Sequence, residues 1–524
     1  MKYLSSSLLL ICVLALPTRA FAQDPNWNQH IAPILYNHCA SCHHSGGIGP
    51  FPLLTYAQTT GSAAAILDAV SAKRMPPWKA DPAYRHLKGE NVLTSAQKAK
   101  IQQWINLGMP EGPPNTAPPV PNFPSGSSLH VVDKTVYTGH FQITSPIDQY
   151  RTFVIPGDSI KANFLNKIEF VPGNQAVVHH IILFCDSTNF SRNLDQQDAT
   201  PGFASNGLSQ PSQAAQYLCV WAPGAGVYEL PSNMGIRVPK NADYLVEIHY
   251  APGSQFQWDS TTVNLQFTQG PSVRRVFVEP VMDWVGSLLN GPLYIPANTT
   301  RSFTQRFVNN IQNLSVISVF PHMHRVGTSY KVWASPTANP SDSIPFLYIP
   351  KWSFHWQGFY TFQHIQKFST GQTLWGKATF DNTVNNPDNP SSPPINVVAG
   401  EHTTDEMMVV FLAYANYQPG DENILLDSTL LSGIGPRAGE EMAANVYPNP
   451  SDESGVWLSN ITEAGNWQLL DFQGKVLEQG RVTAGTNRLV FSDVPPGIYF
   501  LRITQSDQTQ TIKWIRSAQS LKSD

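Results

Sequence analysis

Between residues 129 and 425 the apolar positions fall into many short runs, some alternating and some continuous, separated by clusters of Gly, Pro, Asn and Asp. Segments 167–171, 177–184, 244–250 and 315–320 are examples. Such runs predict strands, and their number and punctuation predict an all-β architecture of jelly-roll or sandwich type. The span is long enough for two such domains, 129–278 and 279–425, with the join expected within 270–285. Residues 23–112 read differently. Ile31, Ile34 and Leu35 follow helical spacing, 62–70 is Ala-rich, and Ile101, Trp104 and Ile105 share a face of a helix that Thr94 or Ser95 can cap and Gly108 can stop. A small all-α domain is expected there. Alternation returns after residue 442, in 467–471, 488–491 and 497–502, and predicts a separate small β-sandwich over 442–524.

Between these blocks lie two linkers. Residues 113–128 (PPNTAPPVPNFPSGSS) are Pro-rich and favour an extended, semi-stiff form, and 426–441 contain Gly and Ser. At 524 residues the chain exceeds one ordinary domain. Charged residues are only 13%, which fits loop-rich β domains better than long charged helices. A formal net charge of −4 with no basic run gives no footprint for nucleic acid. The first 22 residues read as a secretory signal: Lys2, an apolar core over 8–16, and Ala20-Phe21-Ala22 before a mature start at Gln23. That core is too short to span a membrane, and no later run reaches the roughly 20 apolar residues a spanning helix needs.

Two sets of residues carry chemistry. Cys39-Ala40-Ser41-Cys42-His43 is the c-type haem signature: two thiols at the spacing of two vinyl groups, then a histidine for the iron. Met75, between Arg74 and Pro76-Pro77, is the expected second iron ligand, with Met109 and His86 as rivals; a redox dithiol is the competing reading of the cysteines. The second set opens with Val177-Val178-His179-His180-Ile181-Ile182-Leu183-Phe184, two imidazoles in an apolar strand where they cost free energy unless something binds them. Glu247-Ile248-His249-Tyr250, Pro321-His322-Met323-His324 and Asp405-Glu406-Met407 follow. Five histidines and a thioether make a soft nitrogen-and-sulfur set that suits copper. Residues two apart on a strand share a face, so His322 and His324 can grip one ion, whereas adjacent His179 and His180 need a bulge or different ring nitrogens. With Cys12 lost in the signal, Cys185 and Cys219 remain as an even pair in an exported chain, and a disulfide is expected.

The order of these motifs, with Trp352-Ser353-Phe354-His355-Trp356-Gln357 and Gly371-Gln372, resembles the copper type II, ascorbate-dependent monooxygenases, the family of peptidylglycine α-hydroxylating and dopamine β-monooxygenases. The resemblance covers most of 129–425. It implies an electron-transfer copper on His179, His180 and His249 and an oxygen-activating copper on His322, His324 and Met407. It has departures. Where the peptide-acting members hold a substrate carboxylate with an arginine two residues before the H-x-H pair, Phe320 stands here; Val409 and Phe411 replace their asparagine and tyrosine after the ligand methionine. A glycine-extended peptide is therefore not the expected substrate. Residues 23–112 resemble the small cytochrome c domains fused to exported bacterial redox enzymes. The tail, with Tyr447-Pro448-Asn449-Pro450, Gly497-Ile498-Tyr499-Phe500-Leu501-Arg502 and Lys513, resembles the type IX secretion sorting domain.

The expectation is thus an exported, outer-surface copper monooxygenase that hydroxylates an organic small molecule with O₂. It would hold two coppers and one covalent haem c, which relays electrons from an external reductant, and would engage the type IX machinery. The competing expectation is a cell-surface electron-transfer or metal-binding protein without hydroxylase activity.

Overall fold

The chain's short apolar runs do form strands, and most regular structure in the computed structural model is β. The structure describes residues 24–427 and 444–516, apart from 48, 124–126, 130, 158–162, 206–209, 213, 224, 271, 337–342, 355, 448, 450, 452–454, 462, 472–473, 492–493 and 506–507. The signal sequence and nearly all of the linker expected over 426–441 lie outside the described residues. Two units divide the chain: 1–78 with 91–128, and 79–90 with 129–524.

The expectation of a small all-α cytochrome c domain over 23–112 is corrected by the structure. The α-helices of the first unit are Ala32–His38, Tyr56–Gly61, Ala63–Ser71 and Ser95–Asn106, none longer than 12 residues, beside the π-helical turn Trp27–Ile31. They pack around Trp27, Ile31, Leu35, Leu53, Ile66, Ile101 and Trp104. Local signals for these helices are sound: Thr94 caps the last one in a reciprocal capping box with Gln97. Between them run Gly- and Pro-rich stretches that no helix can cross. Residues 79–90 belong instead to the β unit. There Lys88 N–H donates to the Thr361 carbonyl (2.8 Å), and Leu87 bridges Phe362.

In the β unit a nine-stranded sheet runs, in spatial order, through Lys134–Tyr137, Thr262–Thr268, Asn163–Val171, Met234–Val238, Arg274–Met282, Val409–Asn416, Leu314–His322 and Tyr360–Phe368, with Tyr228–Glu229 on the side of Asn163–Val171. A five-stranded sheet has the order Phe203–Ala204, Gln149–Ile155, Asp243–Tyr250, Val178–Asp186, Gln216–Trp221. A four-stranded sheet has the order Thr299–Val308, Thr373–Asn382, Gly327–Ser335, Ile344–Ile349. The large sheet passes from one half of 129–425 to the other without a break. Arg274–Met282 pairs in parallel with Met234–Val238 on one side and antiparallel with Val409–Asn416 on the other. The halves therefore share a sheet. Residues 444–516 form a sandwich of a three- and a four-stranded sheet around Val456, Leu458, Leu469, Leu501, Ile503 and Trp514.

The expected Cys185–Cys219 disulfide is not formed; both cysteines are free and buried. Strand register explains this. Cys219 lies opposite Leu183 and Cys185 opposite Gln216, so the two thiols sit on a diagonal across an irregularity in the pairing. Diagonal neighbours are about 7–8 Å apart at Cα, beyond disulfide reach.

The shared sheet is pinned at its turn-out by a buried pair. Arg274 Nη1 and Nη2 donate to the two Asp421 oxygens at 2.7 and 2.6 Å, and Ser315 Oγ donates at 2.5 Å. Burial would raise the Asp421 carboxyl, but these hydrogen bonds outweigh it and hold it below the ordinary range. Its stabilising contribution is thus full above the unfolded value near pH 3.9 and is lost as pH falls through the lower folded value. Arg274→Ala is expected to destabilise the β unit by about 3 kcal/mol, and the gap to the wild type should close on acidification below about pH 4, as calorimetric melting will show. Dithiothreitol is expected to leave the melting temperature unchanged. Cys185 and Cys219 should alkylate only after unfolding, read by mass spectrometry.

Candidate metal centre

His179 and His180 lie on Val178–Asp186, and His249 lies on the neighbouring strand Asp243–Tyr250. His249 is opposite His180, while Tyr250 is opposite Val178, so His179 occupies a bulge. That extra residue turns two adjacent imidazoles, which a regular strand would send to opposite faces, toward one point. The three Nδ1 atoms converge. His179 and His180 are 3.2 Å apart, His249 and His179 3.1 Å, and His249 and His180 3.3 Å. Imidazole nitrogens this close fit ligands sharing one first-row ion, whose bonds to them run about 2.0–2.1 Å for zinc. His249 is buried, and its Nε2–H donates to Asp148 Oδ1 at 2.7 Å, which leaves Nδ1 as the lone-pair nitrogen. The second Asp148 oxygen accepts from Thr403 Oγ1 at 2.8 Å. Burial would raise the Asp148 carboxyl; the hydrogen bonds from His249 and Thr403 hold it below the usual range. Tyr150, opposite His249 in register, stacks on its ring at 4.2 Å. Burial, reinforced by the neighbouring imidazoles, keeps His180 neutral and ligand-ready.

His322 ends the strand Leu314–His322, and His324 follows it. Their rings are 5.0 Å apart between centroids and nearly perpendicular. Gln357 Nε2 donates to the Phe354 carbonyl at 2.8 Å, which points Oε1 at His322; His322 Nδ1–H donates to it at 2.6 Å. His322 Nε2 is left buried with no hydrogen-bond partner. His324 Nδ1–H donates to the Asp405 carbonyl at 3.1 Å, so its Nε2 is free to ligate as well. Burial depresses both, His322 far below its ordinary value and His324 to about 4. Met407 is buried. His322 pairs with Val409, and Met407 lies two residues before that partner. Phe354 joins the two sets: its ring stacks on His179 at 4.9 Å and meets His324 at 6.1 Å.

Glu406, fully buried, clamps the H-x-H segment. Oε2 accepts from the N–H groups of His324 (2.9 Å) and Met407 (3.3 Å), and Oε1 from Val326 (2.7 Å). Burial pushes this carboxyl up to about 8 against the pull of those donors. Gly400 lies close beside it: a Cβ there would come within 2.4 Å of Asp405 Oδ2, so a larger residue would have to displace that side chain.

In the first unit His43 is buried, and its Nδ1–H donates to the Phe51 carbonyl at 2.9 Å, leaving Nε2 as a lone pair. Burial raises both thiols, Cys39 to about 12, which does not suit a low-pKa redox dithiol. Met75 lies in the turn after Ala63–Ser71 and is 39% exposed. Of its rivals, Met109 packs against the helical core, and His86 pairs with Glu90 at 3.0 Å in the β unit. His130 and His355 lie outside the described residues.

Sequence reasoning missed the supporting residues. Gln357 and Phe354 stood in a stretch already singled out, and Glu406 within Asp405-Glu406-Met407. Asp148 and Thr403 gave no signal, being single polar residues in loops.

Comparison with known proteins bears on this geometry. Residues 137–257 match the copper type II ascorbate-dependent monooxygenase, N-terminal domain. The match contains His179, His180, His249 and Asp148. Residues 445–517 match the secretion system C-terminal sorting domain, so the chain carries a type IX tail for export and outer-surface attachment. No curated protein matches the chain. Among solved structures, PorZ of the Porphyromonas gingivalis type IX system is 18% identical over 22% of this chain, TM-score 0.15. PNGF-II is 10% identical over 51% of this chain, TM-score 0.23. PNGase F, a glycosylasparaginase from Flavobacterium meningosepticum, is 10% identical over 55% of this chain and 97% of its own, TM-score 0.21. The matches span 14% of PorZ and 60% of PNGF-II. Likenesses this distant carry no functional weight. Among the described residues no helix is long and apolar enough to cross a membrane.

Replacing Glu406 tests the clamp. Glu406→Ala is expected to cost about 3 kcal/mol or more, because three buried N–H groups lose their acceptor; denaturant unfolding measures it. An unchanged midpoint would mean that the clamp contributes nothing to stability.

Proposed function

We propose that this protein is an exported copper-dependent monooxygenase that inserts one oxygen atom of O₂ into a C–H bond of an organic small molecule. The convergence of three Nδ1 atoms inside the matched monooxygenase domain carries the reading. His179, His180 and His249 would hold one copper through Nδ1; His322 and His324, through Nε2, and Met407, through its thioether, would hold the second. The orphaned, buried Nε2 of His322 supports that second site. Cys39, Cys42 and His43 fit a thioether-linked haem, with Met75 as the proposed second iron ligand. Copper would supply one-electron redox chemistry and O₂ activation, and the haem a one-electron carrier in the same chain. The overall reaction consumes substrate, O₂, two electrons and two protons, and yields hydroxylated product and water.

The chain's own groups set the conditions. Asp148, Gln357 and the Asp405 carbonyl take the N–H protons of His249, His322 and His324, so each ring presents its other nitrogen. Burial keeps His180, His322 and His324 neutral, the ligating form. The thioether of Met407 favours Cu(I), the form that meets oxygen. Beside His322 the wall is aromatic: Phe320 lies 6.1 Å from its ring, Phe411 stacks on Phe320, and Tyr217 packs on Phe411. These apolar rings favour a less polar substrate.

Metal analysis of the purified chain after copper loading is expected to give two coppers, with His249→Ala and His322→Ala each losing about one. Oxygen uptake under a reductant should yield a hydroxylated product. Absence of copper from the loaded wild type would overturn the reading. Two coppers without any oxygen-dependent product would favour the electron-transfer alternative, and turnover of a glycine-extended peptide would overturn the apolar substrate class.

A further inference from the structure

We propose that Asp148 is a positioning residue that couples the two candidate copper sites, fixing the tautomer of His249 with one carboxylate oxygen and anchoring the loop that supports His324 and Met407 with the other. The inference rests on the copper reading above and goes beyond it.

Asp148 immediately precedes the strand Gln149–Ile155, next to Asp243–Tyr250 in the five-stranded sheet. Its Oδ1 receives the Nε2–H of His249 (2.7 Å), and its Oδ2 receives the hydroxyl of Thr403 (2.8 Å). Those donors are 154 residues apart in sequence (403 − 249) and serve different sites. Thr403 is buried in the 399–407 segment, which is pinned on itself: Glu406 N–H donates to the Val398 carbonyl (2.9 Å), Gly400 N–H to the Glu406 carbonyl (3.1 Å), and Asp405 N–H to the His402 carbonyl (2.8 Å). The Asp405 carbonyl then takes the His324 Nδ1–H, and the Glu406 carboxylate holds the His324 N–H. A continuous polar path thus runs from His249 through Asp148, Thr403 and a self-braced loop to His324. A partner carboxylate on a ligating histidine raises ligand basicity; here the same carboxylate also restrains the other site's loop.

The test uses the purified full chain with copper ions as the probe. Each site's affinity is measured by chelator competition, and amide exchange at Val326, Glu406 and Met407 is followed by mass spectrometry in the copper-free protein. Asp148→Ala is expected to weaken the His179/His180/His249 site by about 10–100-fold and to speed exchange at all three amides. Thr403→Val separates the two roles: it should leave the affinity of that site within about two-fold while still speeding exchange and weakening the second site. Asp148→Asn keeps the size and one acceptor oxygen, guards against misfolding, and should fall between wild type and alanine in affinity, with a changed Cu(II) spectrum of the first site. If Asp148→Ala leaves both affinities within about two-fold, or Thr403→Val leaves exchange unchanged, the coupling is overturned while the copper reading stands. If the wild type binds no copper, the copper reading itself fails.

Discussion

Three imidazole nitrogens within 3.3 Å of one another inside a protein are the constraint to which the surrounding structure answers. A neutral imidazole has one donor and one acceptor nitrogen. The Nε2–H of His249 is given to Asp148, so its Nδ1 is an acceptor and brings a lone pair to the cluster. Where the Nδ1 of His179 or His180 carries a lone pair as well, it repels that of His249 across such a gap. A shared cation resolves the conflict, and a soft first-row ion suits nitrogen ligands of this kind. The local backbone serves the same end. Without the bulge at His179, His179 and His180 would point to opposite faces of the strand, and only one could meet His249.

The second histidine pair depends on a different frame. His322 ends a strand next to the edge of the nine-stranded sheet and is paired there with Val409 on one side, while the pairing with Tyr360–Phe368 on the other side stops at Val319. Beyond the strand end, pairing gives way to the Glu406 clamp, which replaces the missing ladder partners of His324 and Val326 with a carboxylate. A buried carboxyl group is costly when ionised; the three N–H donors offset only part of that cost, so burial still pushes Glu406 up to about 8. The first set grows from the five-stranded sheet, the second from the nine-stranded sheet, and Phe354 fills the space between imidazoles of both. An apolar ring there keeps the two sets packed without offering either a competing ligand.

The histidine motifs and the strands beneath them were legible because strand chemistry is local. A β-branched run with two histidines, an H-x-H pair and Asp405-Glu406-Met407 each state their face and register within a few residues. Asp148 and Thr403 were not legible, because an aspartate before a strand and a threonine in a loop are ordinary until the fold places them together. The cysteines misled for a related reason: an even count in an exported chain suggests a bond, but the register sets Cys185 and Cys219 on a diagonal. The helical domain was overdrawn from sound local signals. The capped helix Ser95–Asn106 is there, yet 79–90, counted with the helices, contributes to the β unit, an affinity that no helical period reveals.

The two candidate copper sites rest on separate grounds, and that separation limits what each can say. The matched domain ends at residue 257, so it covers the first set and leaves His322, His324 and Met407 to their own geometry. That geometry is specific in chemistry. Each histidine of the pair has its proton directed away, to Gln357 and to the Asp405 carbonyl, as a metal-binding histidine does, and buried Met407 shares the Glu406 carboxyl with the His324 N–H. Phe320 and Phe411, both buried, place apolar rings beside the pair and compete with no metal ligand. The aromatic wall of Phe320, Phe411 and Tyr217 is buried together with His322, so what it gives the pair is a dry, apolar surround in which an unpartnered ring nitrogen is costly until something binds it.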